Sequence, residues 1–536
     1  MKSIYFLVLT SAVLVMVLIS VPSQAAVTLR GIISDADSGA PLAARVYVQS
    51  SDGHWYTVNC AAPGGHAIEY RKQRSAQSVE IHTTLSADPF VTQLPPGNYT
   101  ITVARGKEYL PATLPVTLKD QPVTVRIPLR RWIDMSAHGW YSGETHVHRS
   151  IQELPTLMRA EDLNVAFPLT YWVTRAYATP SQGKLNSPAV RPELIVVDPT
   201  HVIYPLNTEY EIGSVDGKHF TLGAFFALNH RRVLDLGVPP VAPVATQVHQ
   251  QGGLIELDKH NWPWSMMLVP VMKVDLYELA NNHMWRTKFF FDHFGEGPAD
   301  YMHIERDQDG WTERGWIDFT LQNYYALLDC GFHPRPTAGT ASGVHPVPFG
   351  FSRVYVHLDD GFSYDKWLAG LNAGHSFVTT GPLLLARMNG ATPGHVFRQE
   401  AGTTANTVAG EIHSVGNLAR IEIVVNGQVV KTIEPDNQVE PKGGHVSHFS
   451  YSHSAARSFW LAVRCFQTTA EGSTRFAHTA PWYVTVPGKP SRPRPEEIQY
   501  LIQRTKAQIQ RSTGVLNDAA VGEYRAALRQ YQAIAQ

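Results

Sequence analysis

Cysteine is scarce: the chain has three in 536 residues, Cys60, Cys330 and Cys465. At most one disulfide can form, so the fold cannot rest on a disulfide framework. Net charge is equally scarce, with 45 Lys+Arg against 46 Asp+Glu and a formal charge of -1. That balance gives no basic footprint, and nucleic acid is not an expected partner. Beyond the N-terminus no segment is apolar enough to span a bilayer. There is no Gly-x-Ser-x-Gly elbow and no phosphate-cradling Gly-rich loop. Cys330, in "LLDCGF", follows a helical stripe and reads as structural. A serine or cysteine nucleophile therefore fits this chain poorly.

Histidine, in contrast, is plentiful: 24 residues, and they cluster. A hydrophobic fraction of 44%, with 12 Trp and 22 Tyr, supplies ample core. The length implies about two to four domains. At the N-terminus Lys2 precedes an apolar run from Ile4 to Val21, closed by Pro22 and "SQA". Small residues at Ser23 and Ala25 fit signal-peptidase cleavage after Ala25. The expectation is an exported protein, periplasmic or extracellular, with a signal peptide at 1–25 and no membrane insertion after cleavage. The alternative is a retained anchor, since the run approaches the spanning length.

Residues 27–130 read as all-β. Val46 and Val48 alternate with Arg45, Tyr47 and Gln49, and Tyr99, Ile101 and Val103 alternate after "LPPG". The segment resembles the carboxypeptidase-regulatory-like β-sandwich. Residues 136–386 alternate short apolar runs, such as "ELIVVD", "GGLIELDKH" and "KVDLYEL", with helical stretches such as "SIQELPTLMRAEDL" and "IDFTLQNYYALLDCG". This is the pattern of a β/α layer or barrel, in which chemistry collects at the strand C-termini. Residues 387–487 return to strands, with Asn426–Gly427 as a hairpin turn. Residues 488–536 form a helical tail, with one stripe at Ile498, Leu501 and Ile502 and another at Val521, Tyr524, Leu528 and Tyr531.

The chemistry-bearing residues fall at predicted strand ends. In "SGETHVHRS", His146 and His148 are two apart, which on a strand sets both imidazoles on one face. An isolated His-x-His is a weak signal. Here it is joined by Glu209 and Glu211 in "LNTEYEI", His219 in "GKHF", Asp258, Lys259 and His260 in "IELDKH", Glu278 and His283 in "VDLYELANNHMW", and His345 in "SGVHPVPFG". Imidazole and carboxylate donors suit Zn, Mn or Fe, and an ion with an open position activates water for hydrolysis. Glu144 and Asp258 are candidates to orient the imidazoles, and Lys259 to neutralise an oxyanion.

The motif order resembles the PHP (polymerase and histidinol phosphatase) metallohydrolase superfamily, and within it the carbaryl-hydrolase-like branch. The resemblance rests on "GETHVH", "LNTEYEI", "GGLIELDKH", "YYALLDCGFHPRPTAGT", "SRVYVH" and "GHSFVTTGPLL", and covers roughly 136–487. It implies a distorted seven-stranded β/α barrel with one to three divalent ions, hydrolysing phosphoester, ester, amide or carbamate bonds. By position His146 and His148 match its opening ligand pair, Glu209 its later carboxylate, and His219 and His260 further ligands. The chain departs from the pattern twice. Trp172 stands where a histidine is usual, and Ala341 stands where an aspartate is usual, with His345 delayed. One or two ions are then expected, with Glu278 or His283 substituting. Trp172, Trp262 and Trp264 are expected to line an apolar pocket for a small molecule with an aryl or acyl group. The expected function is metal-dependent hydrolysis of an ester, amide or carbamate, with Asp258, Lys259 and Glu278 near the chemistry. A phosphoesterase of the same fold and a non-catalytic ligand-binding protein are the alternatives.

Overall fold

The computed structural model describes residues 26–536 except 77, 187, 259–261, 265, 286–296, 401–404 and 455. The expected signal peptide lies outside the described residues, as do Lys259 and His260. The protein is β-rich and built from several sheets.

At the N-terminus two sheets face each other. One orders the strands Val123–Leu129, Val27–Asp35, Phe90–Leu94 and Asn59–Cys60. The other is built on Ala44–Ser50, between Val79–Leu85 and Gly97–Ala104. The expected alternation holds: Val46 and Val48 are buried while their neighbours on the strand are not. Leu29, Ile33 and Phe90 of one sheet and Val46, Leu85 and Ile101 of the other share one apolar cluster.

Two larger sheets position the site. A seven-stranded sheet runs Ser181–Gln182, Tyr171–Arg175, Thr208–Val215, Lys218–Leu228, Leu254–Leu257, Leu276–Ala280 and Arg335–Ala338. Its last three strands are parallel, and Leu254–Leu257 and Leu276–Ala280 are buried along their whole length, apolar except for Glu256, Tyr277 and Glu278. A twelve-stranded sheet carries Val165–Pro168, Trp140–Val147, Arg353–His357 and Ser376–Thr379 in sequence. The two sheets join at the end of Trp140–Val147. Ala341 N donates to His146 O at 2.9 Å, His148 N to Ser342 O at 2.8 Å, and Leu169 N to Val147 O at 2.8 Å. Both helical expectations are met, by Leu154–Glu161 and by Glu313–Asp329, whose Thr312 cap accepts from Gly315 N at 3.0 Å.

The large sheet does not stop near residue 386. Ser376–Thr379 pairs with Thr474–Thr479, and the sheet continues through Phe459–Thr468 and Leu418–Val425. Segments 136–386 and 387–487 thus share one sheet, and Trp140 and Phe377 pack in the same cluster as Ile421, Leu461 and Trp482. The three cysteines are unpaired. Among the described residues no helix is long and apolar enough to cross a membrane.

The tail forms helices Pro495–Ser512 and Asp518–Ile534, and both expected stripes face the body. Glu523 accepts from Val241 N and Ala242 N, both at 2.8 Å, and so supplies from a distance the cap that helix Ala242–Gln250 lacks locally. Asp329 is pushed up to about 8 by burial and by the facing Glu497 carboxylate, while Trp460 Nε1 donates to it at 2.7 Å. The folded state therefore keeps a proton on Asp329 that the unfolded chain loses above the ordinary aspartate range. That contribution is fully present below the unfolded pKa and has gone once the pH passes about 8. Thermal stability and protease resistance of the tail should fall between about pH 4 and 8, and Asp329→Asn, which keeps an acceptor for Trp460, should flatten that dependence.

Candidate metal centre

The end of strand Trp140–Val147 is irregular. Its register with Val165–Pro168 shifts between Glu144 and Val147. Such a shift re-aims side chains at a strand end, and here Thr145, His146 and His148 all face groups from the seven-stranded sheet. His146 Nε2 lies 3.2 Å from His148 Nε2, and His148 Nε2 lies 3.3 Å from Glu209 Oε2. On its other edge His146 Nδ1 meets Glu278 Oε1 at 3.0 Å, with Asp258 Oδ1 at 3.9 Å. His146 and Glu209 are buried, and His148 retains 11% of its side-chain exposure. A side chain at Gly339 would collide with His146 and Glu278, so only glycine lets the neighbouring strand approach this closely.

Buried His, Asp and Glu in two groups can hold a metal ion: His146, His148 and Glu209, and His146, Asp258 and Glu278. The first group fits the stricter test. Nitrogens bound to one zinc at ~2.0–2.1 Å in tetrahedral geometry lie about 3.3 Å apart, and the two Nε2 atoms are 3.2 Å apart. Glu278 at Nδ1 fixes the tautomer that leaves the His146 Nε2 lone pair bare, the usual role of a carboxylate behind a metal-ligating histidine. Asp258 is held by Trp262 Nε1, which donates to its Oδ2 at 3.0 Å.

Beneath this pair sits Glu256, two residues before Asp258 on the same strand face. Burial, and after it the facing Glu278 and Asp258 carboxylates, push its pKa well above the ordinary carboxylate range. It is hydrogen-bonded to Thr145 Oγ1 at 2.8 Å. The sequence reading missed Glu256, although an acidic residue inside the apolar run "LIEL" was a signal for it.

Other expected residues are arranged differently. Glu144 does not orient the imidazoles. It accepts from Thr340 N at 2.9 Å, from Thr340 Oγ1, and from Gly350 N at 2.8 Å, clamping the loop after Arg335–Ala338. Burial pushes its pKa up to about 8 against those bonds. His219 is exposed near the tip of the 208–228 hairpin, opposite Ser214, whereas Glu209 lies opposite Phe226. Seven residues of strand, about 23 Å, separate it from the cluster's level. His283 stacks on Trp316 with ring centroids 4.9 Å apart and belongs to neither ligand group. Trp264 is core, tilted against Phe225, whereas Trp172 does line the cavity, edge-on to His148.

That cavity, about 220 Å³, is walled by His146, His148, Trp172, Glu209, Ala341 and His345, with Glu211 and Thr174 at its exposed side. Ala341 has φ 48°, and its amide holds His146 O. Gly343 has φ 108°, and a Cβ there would strike the His148 carbonyl. The N-terminal β-segment holds this wall from behind: Tyr70 OH donates to His345 O and accepts from Gly343 N at 2.8 Å, and Arg149 lies 4.6 Å over its ring.

Glu278→Gln should weaken divalent-metal affinity by about 10–100-fold, read by competition with a chromogenic chelator, because the orienting charge is lost. Tyr70→Phe should speed amide exchange at Gly343 and Val344, since it removes a buried acceptor worth about 1–3 kcal/mol, and should leave metal affinity unchanged. Comparison of the chain with models of protein families, with curated proteins and with solved structures gives no match.

Proposed function

We propose that this protein is an exported metal-dependent hydrolase of PHP type that cleaves an ester, amide or carbamate bond. The observation that carries the reading is the meeting of His146 Nε2, His148 Nε2 and Glu209 Oε2 on the wall of one cavity, with Glu278 behind the first histidine. The joining of two sheets at the end of Trp140–Val147 supports a distorted β/α barrel, with His146, His148 and Asp258 at strand C-termini, as that architecture places its chemistry, and Glu209 at the start of its strand. Two imidazoles and a carboxylate suit Zn, Mn or Fe, in one site or, with Asp258 and Glu278, in two.

His146, His148 and Glu209 would hold a divalent ion, which when bound would supply an activated water and polarise the scissile carbonyl. The chain's own residues do the rest. His146 and His148 hold one side of the site, fixed by the seam bonds at His146 O and His148 N. The reaction adds one water across the bond: hydroxyl goes to the acyl carbon, and a proton goes to the departing oxygen or nitrogen. Glu211 and His345, both on the cavity wall, are within the site as proton carriers. Among the described lining residues there is no Lys or Arg, while Glu209 and Glu211 are both acidic. That balance favours an uncharged acyl substrate over a phosphate dianion.

The test is metal content and turnover of the purified chain against its His146→Ala/His148→Ala variant, on a panel of small esters, carbamates and phosphoesters. The reading expects near-stoichiometric metal and ester or carbamate turnover in the wild type, and loss of both in the variant. Equal, substoichiometric metal in the two proteins refutes it, and turnover of phosphoesters alone replaces the substrate class.

A further inference from the structure

Beside the cavity over His146 and His148 lies a second cleft, of about 310 Å³. Leu185 belongs to both. The second cleft is walled mainly by Ile151, Pro188, Val190, Ile195 and Pro205. Its charged residues are one of each sign, Arg191 and Glu193, which offers no net charge to an ionic headgroup. Leu185 is 58% exposed and Val344, which also lines the first cavity, is 41% exposed. An apolar ligand in this cavity would take both side chains out of water, which favours its binding.

The segment carrying these walls is tied down, so the cleft exists before any ligand arrives. Gln182 is the tie. Its Nε2 donates to Asn186 O at 2.6 Å and to Pro188 O at 3.2 Å, and its Oε1 accepts from Val190 N at 2.9 Å and from Tyr171 OH at 3.2 Å. Asn186 Oδ1 in turn accepts from Ile151 N at 2.9 Å, joining the two sides of the cleft. At the base, the Trp172 ring covers Gly183 so closely that a Cβ there would overlap it. The aromatic wall of the first cavity and the segment framing the second are therefore one packed unit.

We propose that the two cavities form a single substrate site, in which an uncharged ester or carbamate sets its scissile carbonyl beside His146, His148 and Glu209 and lays a long apolar acyl arm across Leu185 into the second cleft. This rests on the hydrolase reading above and adds the substrate's shape to it. The site is preformed, concave and mostly apolar with a few convergent polar groups, as small-molecule sites are.

The test uses the full chain and a series of 4-nitrophenyl esters from acetyl through hexanoyl to decanoyl, with Ala189→Trp as the blocking variant. Ala189 lines the second cleft and is exposed, so the indole has room to enter the cleft without displacing core. A long-chain methyl ketone, carrying the carbonyl and the arm but no scissile bond, is titrated by calorimetry on both proteins. In the wild type kcat/KM should rise about twofold to fourfold per methylene, as burial of each predicts, and the ketone should bind. In Ala189→Trp the decanoyl-to-acetyl ratio should collapse and ketone binding should weaken in parallel. Ketone binding that is lost in the variant, with no ester cleaved by either protein, retains the cleft and refutes the hydrolase. Ester turnover that is flat with chain length, or a length dependence that survives Ala189→Trp, retains the hydrolase and overturns the cleft.

Discussion

The arrangement depends on a short backbone seam. His146 offers its carbonyl to Ala341 N and His148 its amide to Ser342 O, so the end of one strand is stitched to the loop that follows another. Because two consecutive peptide groups of the metal-facing stretch are spent on the seam, the intervening side chains have no freedom to slide. The two imidazoles then face the seven-stranded sheet at fixed depth. Among the described residues, the other members of the two ligand groups arrive from that sheet: Glu209 from Thr208–Val215, Asp258 just beyond Leu254–Leu257, and Glu278 from Leu276–Ala280.

The seam is in turn supported at three places. Glu144 gathers Thr340 and Gly350 and closes the loop into a tight bend. Tyr70, from the N-terminal β-segment, holds Gly343 and His345 from the far side. The continuous large sheet runs from Trp140–Val147 through Arg353–His357 and Ser376–Thr379 into the C-terminal strands, so the floor under the seam is braced by a second apolar core. Buried acids near His146 are costly, and the structure limits the cost by bonding Glu256 to Thr145 and pairing Glu278 with an imidazole. Removal of the His146 imidazole would leave the Glu278 carboxylate without that partner in the same buried volume.

Much of this was legible in the sequence where periodicity is local. The alternation around Val46 and Val48, the stripes at Leu501 and Tyr524, and the helix over "IDFTLQNYYALLD" follow from side-chain periods that a short window contains. The close approach of His146, His148 and Glu209 also agrees with their placement at strand ends. The sequence reading erred where a residue's fate depends on chain distant from it. His219 looks like a ligand beside "LNTEYEI", yet an antiparallel hairpin carries it to the exposed tip. Glu144 looks like an orienting group for its neighbour His146, but the register shift after it turns it toward Thr340. Ala341 looked like a missing ligand. Its position contributes a backbone amide to the seam, and the acids that approach His146 come from Asp258 and Glu278. Tyr70 and Leu185 carried no local signal at all.

The central claim is that His146 Nε2, His148 Nε2 and Glu209 bind one divalent ion together. Crystals of the zinc-loaded full chain, with anomalous data collected on both sides of the zinc edge, test this directly. The account predicts an anomalous peak within bonding distance of both Nε2 atoms and a Glu209 oxygen, with Glu278 remaining on His146 Nδ1. A zinc-loaded crystal with no peak there, or with its strongest peak on other histidines such as His413 beside Glu440, would contradict it.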